Sequence, residues 1–600
     1  MEKIVRINLT TKDINTEEIS EEKEGKYIGG SGVAASLFVK EVPADINAFD
    51  EENLLIFSVG PFCGTAIPFC GRHFVMAKSP LTNILGESSA GGFFGRELRA
   101  AGYNHIIFEG KSENPVYLYI DDGNVEIKDA SSLWGKGIHQ TESLIKKELN
   151  EEQLKIALIG LAGENLVRYA SIISEGDHAA GRCGLGAVMG SKNLKAIAIK
   201  GNNKIETANR EGVLNAAKEL QQLTKASPLA NIMKDSGTVI HMDNYTRFGD
   251  VPIKNYSESR WKGTKNIGYY AMQERGEIKT TACFNCPVGC RGELQYEGEW
   301  VAWPEYETCA MLGANLLVDD LETLIKWNEL INDLGIDAIS LGANLGCFLE
   351  AAEKGLLDVD LDVLGFEKDP ENENHYQIWG ATKPIEKLIK MTANKEGIGK
   401  DLAEGVERFI KIKNLPEEFN TTGKGLEVPA HEPRSNNLTA LDYATTSRGA
   451  YHCYEPMHLS FQMNLKEEIG LTEKIDRFSE DEEVIKAVIK LQNSSEAYSA
   501  SGGCIFGFWF IHKITPWVEG LNAITGRDYS VDSWVKAGED IFNLKRQYNL
   551  ECGISSDDDT VGKRFFIPIK KGGTKGYTPP LHELVPKYYE KRGWNEKGVP

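Results

Sequence analysis

Cys283, Cys286 and Cys290 fall in the run Cys283-Phe284-Asn285-Cys286-Pro287-Val288-Gly289-Cys290. Three thiolates at this C-x-x-C-x-x-x-C spacing can hold three corners of an iron–sulfur cube, and a fourth must come from elsewhere. A structural zinc site is the competing reading, because it too takes four cysteines or a cysteine–histidine mixture. Zinc knots usually pair two C-x-x-C hairpins, and the chain has no second one. The spacing therefore points first to electron transfer, with zinc and unligated thiols as alternatives. Glycine runs supply a second kind of chemistry: Gly29-Gly30-Ser31-Gly32, Gly91-Gly92 and Gly181-Arg182-Cys183-Gly184-Leu185-Gly186. Glycine lets backbone N–H groups approach an anion closely, and an arginine such as Arg182 adds a two-pronged donor. Taken singly, each of these glycines reads more simply as a turn.

The elements that must position these residues change character along the chain. Up to residue 204 the sequence is rich in strands and glycine. Lys3 to Leu9 reads as an opening strand, and Ile106 to Phe108 and Ile156 to Ile159 as buried strands. Asp121-Asp122-Gly123-Asn124 closes a hairpin between Val116–Ile120 and Val125–Lys128. A helix is predicted over about 137–149. Beyond 205, helical periodicity marks Glu211–Ala226, Leu321–Leu334, Glu482–Tyr498 and Val531–Tyr548. The polar stretches 366–378 and 414–425 read as surface loops. The expected organisation is α+β: a β-rich domain over 1–204 and two mainly helical domains over 205–420 and 421–600.

Composition bounds the function. A chain of 600 residues is too long for one core. A net charge of −21, spread along the chain, disfavours nucleic-acid binding. No run of about 18 apolar residues offers a membrane span, and the start carries no signal-peptide pattern. Eleven unevenly spaced cysteines suit a reducing cytoplasm better than a disulfide framework.

With the glycine segments and the cysteine cluster read together, the chain resembles the tungsten-containing aldehyde ferredoxin oxidoreductase family. The matching segments run in order. The first are Gly29-Gly30-Ser31-Gly32, Gly71-Arg72-His73-Phe74-Val75, Lys78-Ser79-Pro80-Leu81-Thr82, Ser88-Ser89-Ala90-Gly91-Gly92 and Ala101-Gly102-Tyr103. Next come Ala179-Ala180-Gly181-Arg182, Gly190 to Ile197, the cysteine cluster, Pro304-Glu305-Tyr306-Glu307-Thr308 and Gly335-Ile336-Asp337. Ser447-Arg448-Gly449-Ala450 with His452 completes the set. The resemblance implies a β-rich base under a cofactor of two tungstopterins beside one 4Fe-4S cluster, covered by two helical domains. Molybdenum in place of tungsten is equally compatible with the sequence.

Residue by residue, the resemblance implies that Cys504, 214 positions after Cys290 (504 − 290), is the fourth cluster ligand. Gly91, Gly92 and Arg182 would cradle pterin phosphates, with Mg2+ held between them by the backbone carbonyls of Ser89 and Ala179. Arg72 would lie between cluster and pterin. His178 stands where the family often has arginine. Two family motifs, D-x-x-G-L-D and D-x-x-G-L-C, appear here as Asn332-Asp333-Leu334-Gly335-Ile336-Asp337 and Ser499-Ala500-Ser501-Gly502-Gly503-Cys504. Asn332 and Ser499 thus replace aspartates while retaining hydrogen-bonding capacity, Asp333 offers a shifted substitute, and Asp337 and Gly503 keep contact positions. Glu307 and His452 match the acid–base positions: His452 would donate to the substrate oxygen and Glu307 take a proton as water attacks the carbonyl carbon. Glu305 is the alternative base. Cys309 is the outlier, a thiol beside the acid–base glutamate and a candidate tungsten ligand, with burial in a helix face as the plainer reading. Cys453 is a weaker candidate of the same kind.

The implied activity interconverts aldehydes and carboxylic acids, with ferredoxin or an iron–sulfur subunit as electron partner. A tungsten enzyme reducing an acyl-coenzyme A or an aromatic ring, like the class II benzoyl-coenzyme A reductases, is the alternative; a zinc-stabilised binding protein with no redox role is a third. A homodimer or a larger complex is expected. The basic run Lys563, Arg564, Lys570, Lys571 and Lys575 is a candidate docking patch for an acidic carrier.

Overall fold

The computed structural model describes residues 2–600 except Glu455 and Asn464, and omits the side chain of Glu373. The first 200 residues build two six-stranded sheets. The first holds β1 (Lys3–Asn8), β2 (Ile14–Glu18), β3 (Leu55–Ser58), β4 (His73–Lys78), β5 (Leu85–Ala90) and β6 (His105–Glu109) in the order 2-1-6-3-4-5. The second holds β7 (Val116–Asp121), β8 (Asn124–Asp129), β9 (Lys155–Leu158), β10 (Ile172–Ser174), β11 (His178–Ala180) and β12 (Leu194–Lys200) in the order 11-10-9-12-7-8. Only β1/β6 and β7/β12 pair in parallel within these sheets. β3 and β4 are buried along their whole length, which explains their near-continuous apolar runs rather than alternation. The predicted β7–β8 hairpin forms, turning at Asp122 (φ 46°) and Gly123 (φ 93°). β5 and β11, from different sheets, end beside each other, and the residues at and after those ends line the central cavity described below.

Helices dominate the remainder. Leu321–Leu334 ends at Gly335 in the left-handed conformation, and Asp337 caps the next helix, Ala338–Glu353. Glu482–Ser501 and Val531–Glu551 pack backbone to backbone: a Cβ on Gly538 would lie 1.9 Å from the Asn493 carbonyl oxygen. Among the described residues no helix is long and apolar enough to cross a membrane.

Three expectations need correction. Residues 366–378 contain a short hairpin, Lys368–Asp369 with Asn372–Tyr376, because the Asp369 carboxylate accepts the Glu371 N–H and closes the turn. In 414–425, Thr421, Thr422 and Gly423 are buried and Thr422–Gly423 pairs with Leu426–Glu427. Lys424 is drawn inward there by a 2.8 Å ion pair with buried Asp559. In the basic run, Lys563, Lys570, Lys571 and Lys575 are exposed, whereas Arg564 is buried on Glu350 at 2.5 Å and leaves the patch.

A buried four-charge network joins the first sheet to the helices. Glu87 of β5 accepts from Lys545 at 2.5 Å, and Lys545 donates to Glu496 at 2.7 Å. Arg448 lies 3.2 Å from Glu87 and 3.7 Å from Glu496. Each charge is covered by an opposite one, the condition under which burial of ions is tolerated. Removing one cation leaves two buried carboxylates to share the other. Lys545→Met is therefore expected to lower the unfolding free energy by about 3–5 kcal/mol in denaturant titrations; a change within experimental error would refute the coupling.

Candidate redox site

One cavity of about 360 Å³ gathers most of the residues singled out from sequence. Its lining includes Arg72, Ser89, Gly91, His178, Ala179 and Arg182 from the β-rich part. Cys283, Cys286, Cys290, Glu305, Glu307, Asn332 and Asp337 come from the middle of the chain, and His452 and Cys504 from its last third.

The cysteines are brought together by backbone bonds through residues 60–72. Phe69 donates its N–H to the Asn285 carbonyl at 3.3 Å and accepts the Cys504 N–H at 2.7 Å. It does so in the left-handed region (φ 59°), a conformation costing a non-glycine residue about 1–2 kcal/mol. The Asn285 side chain donates to the carbonyls of Ala66 and Ile67 at 2.9 Å each. Close approach of Gly60 to Gly502 seats the other segment: a Cβ on Gly60 would stand 2.4 Å from the Gly502 nitrogen. None of the four cysteines is in a disulfide. Among the described residues no three His, Cys, Asp or Glu side chains are close enough to hold a single metal ion; the four thiols instead line a larger volume.

Arg72 spans two parts of the lining. One guanidinium nitrogen donates to the Cys504 sulfur at 3.5 Å, the other to the Ser89 hydroxyl at 3.3 Å and the Ser89 carbonyl at 3.4 Å. His178 Nε2 lies 3.8 Å from the Cys283 sulfur, and its Nδ1 pairs with Asp177 at 2.8 Å. Burial alone would push the Cys283 thiol up; the His178 bond and charge, the Gly92 backbone and Arg72 outweigh it and bring the thiol down to about 7. Gly91 abuts the same sulfur, which a Cβ would approach to 2.7 Å. Arg182 reaches the Glu427 carbonyl at 2.5 Å and lies 3.4 Å from Asp337. Its Nη1 is buried without a hydrogen-bond partner among the described residues.

Several expected residues are placed elsewhere. Gly92 (φ 90°) serves through its carbonyl, which accepts the Phe284 N–H, but does not line the cavity. Ser499 and Gly503 are also outside the lining; Ser499 offers its carbonyl to Gly502, and Gly503 packs under the Tyr498 ring. Asp333 is not a shifted substitute: its carboxylate accepts the His139 N–H at the start of the Ile138–Leu149 helix. Cys309 is buried with its thiol on the Pro304 carbonyl at 3.6 Å, outside the lining, so the helix-face reading fits its surroundings. Cys453 lines the cavity.

The acid–base residues form a compact set. Glu307 Oε2 accepts the Ala430 N–H at 2.9 Å, which leaves Oε1 facing two imidazoles, His452 Nε2 and His431 Nε2, each at 3.7 Å. His431 Nδ1 lies 2.7 Å from buried Asp250. Glu305 is 42% exposed and pairs with Arg291 at 3.6 Å, the weaker placement for a base. Neither His431 nor Asp250 was singled out from sequence. Pro429-Ala430-His431-Glu432-Pro433 was the available signal, a histidine between two prolines that break local structure.

Comparison with known proteins now decides the family. The model of the aldehyde ferredoxin oxidoreductase N-terminal domain matches residues 4–201, and that of its domains 2 and 3 matches 215–600. The tungsten-containing aldehyde ferredoxin oxidoreductase of Pyrococcus furiosus is 38% identical over 99% of this chain and 96% of its own length. The chain belongs to the aldehyde ferredoxin oxidoreductase family. Within this family of tungstopterin oxidoreductases it is also 30% identical to the WOR-like subunit of an aliphatic sulfonate oxidoreductase of P. furiosus, over its full length and 95% of that protein. Among solved structures, the active-site complex of benzoyl coenzyme A reductase with 1,5-dienoyl-CoA superposes with a TM-score of 0.85 at 26% identity, covering 100% of this chain and 95% of that one.

The residues present fit the family's cofactor. Arg182 Nη1 offers an unused buried donor, Gly91 leaves room where a side chain would strike Cys283, and Arg72 adds a fixed cation. Because the Cys309 thiol faces Pro304, Cys309→Ala is expected to leave metal content and the tungsten spectrum unchanged. An altered metal spectrum in a variant that still holds its cofactor would make Cys309 a ligand after all.

Proposed function

We propose that this family member interconverts aldehydes and carboxylic acids and passes the electrons through a 4Fe-4S cluster on Cys283, Cys286, Cys290 and Cys504 to ferredoxin or an iron–sulfur subunit. The observation that carries this reading is Glu307 Oε1 facing His452 and His431 in the cavity that also holds the four thiols. When bound, tungstopterin supplies two-electron acceptance and the cluster one-electron exit. Glu307, held through Oε2 by the Ala430 N–H, keeps Oε1 for a proton from attacking water. His452 Nε2, 3.7 Å from that oxygen, would donate to the substrate oxygen. Arg72, bonded to the Cys504 sulfur, would stabilise a reduced cluster and link it toward the pterin. Arg182, Gly91 and Asp337 would hold pterin groups, and the Ser89 and Ala179 carbonyls would hold Mg2+ beside the pterin phosphates. A homodimer, or a place in a larger complex, goes with this reading.

A second reading, reduction of an acyl-coenzyme A or aromatic ring, draws on the likeness to the benzoyl coenzyme A reductase complex across the whole chain. Turnover of simple aldehydes with a low-potential dye supports the first reading; reduction of a coenzyme A thioester without aldehyde activity supports the second. Purified protein is expected to carry tungsten or molybdenum and iron, and zinc without them would overturn both. In protein retaining its metals, Glu307→Gln should lower dye-linked kcat by about 10²-fold or more, the usual weight of a general base. Replacing Lys563, Lys570, Lys571 and Lys575 should weaken ferredoxin-dependent but not dye-dependent turnover; equal losses would exclude that patch as the docking surface.

A further inference from the structure

We propose that His431, oriented by Asp250, is the second proton acceptor of the site and acts through Glu307 rather than on substrate; this rests on the acid–base reading of Glu307. Oxidation of an aldehyde with water to a carboxylic acid breaks the aldehyde C–H bond and one water O–H bond, forms a C–O bond and releases two electrons and two protons. The electrons pass to a one-electron iron–sulfur carrier. Glu307 can hold one proton only, and its second oxygen is committed to the Ala430 N–H. Another base must therefore clear Glu307 within each turnover.

His431 has the geometry for this. Its side chain is 4% exposed, against 18% for His452. Asp250, 1% exposed, takes the Nδ1 side at 2.7 Å, and its other oxygen accepts the Ser435 hydroxyl at 2.6 Å. A carboxylate at Nδ1 favours the proton there, and Nε2 is the ring nitrogen that faces Glu307. The 3.7 Å separation exceeds a formed hydrogen bond, as is common for catalytic contacts before substrate binds. Tyr245 and Tyr306 pack on the ring at centroid distances of 5.3 Å each, and the Tyr306 hydroxyl donates to the Ala430 carbonyl at 2.6 Å, so ring and glutamate share one support. Among the described residues, the titratable groups facing His431 include Asp250, Glu307, His452, Tyr245 and Tyr306.

In the transfer, the Glu307 O–H bond breaks and an Nε2–H bond forms. Asp250 balances the resulting imidazolium, and Glu307 is again a carboxylate for the second proton. From Asp250 the charged groups continue outward: Arg477 lies within its field, donates to the Phe248 carbonyl at 2.8 Å, and lines a separate hollow with Phe248.

The test uses holoenzyme with an aldehyde and a low-potential dye. His431→Ala should lower kcat by about 10²-fold with KM nearly unchanged, retain tungsten and iron, and recover turnover with added imidazole. Asp250→Asn, close in shape, should lower kcat in the same direction and raise the solvent isotope effect. Wild-type kcat in His431→Ala, or a loss seen only in KM, would overturn the proposal; so would a kcat loss that imidazole does not relieve while Asp250→Asn is unaffected. Glu307→Gln separates the levels. If it keeps wild-type turnover, the acid–base reading falls and this proposal with it; if it loses turnover while His431→Ala does not, only this proposal falls.

Discussion

Phe69 is the residue through which the two cysteine-bearing segments meet. Its amide and carbonyl are each given to a different segment, Asn285 on one side and Cys504 on the other. The Asn285 side chain on Ala66 and Ile67 and the close approach of Gly60 to Gly502 hold the same two segments against this loop. Phe69 makes both bonds from a left-handed φ of 59°. A loop between two strands of the first sheet thus contacts both cysteine-bearing segments. That arrangement makes the β-rich part a base in the mechanical sense.

Around that clamp the cavity has two chemically different walls. The first is cationic and sulfur-bearing: Arg72, His178 and Arg182 sit beside the cysteines, and the local field lowers the Cys283 thiol. The second carries Glu307 with its two imidazoles and the Asp250 carboxylate behind one of them. The buried network of Glu87, Glu496, Lys545 and Arg448 ties the walls together, because Arg448 also lies over the Tyr451 ring, 4.1 Å from its centroid, next to His452. The sulfur-bearing groups and the carboxylate–imidazole set thus occupy separate supports inside one enclosure.

How much of this could be read from the chain depended on whether the signal was local. The β7–β8 hairpin and the Glu482–Ser501 and Val531–Glu551 helices are written in turn residues and periodicity, and they formed within a few residues of expectation. The cysteine triplet is local too, and Cys504 followed from family likeness. His431 and Asp250, by contrast, stand 181 positions apart and each looks ordinary alone. Asp333 failed for the opposite reason: a plausible one-place shift ignored the N-terminus of the Ile138–Leu149 helix, which claims its carboxylate. Arg564 read as surface charge because its partner, Glu350, is 214 positions away. Long-range pairing, not propensity, separated the residues that were found from those that were missed.

The Cys504–Phe69 bond also orders events in time. A growing chain presents Phe69 and the triplet hundreds of residues before Cys504 emerges, so three corners are ready while the fourth is still being made. Closing that gap costs loop entropy that a short connection would not. The last thiol arrives only when the Glu482–Ser501 helix has been synthesised and its end has docked on Gly60. Completion of the four-thiol set is thereby a report that the C-terminal third has folded onto the N-terminal sheets, and a cofactor that needs all four would mature only on a finished molecule.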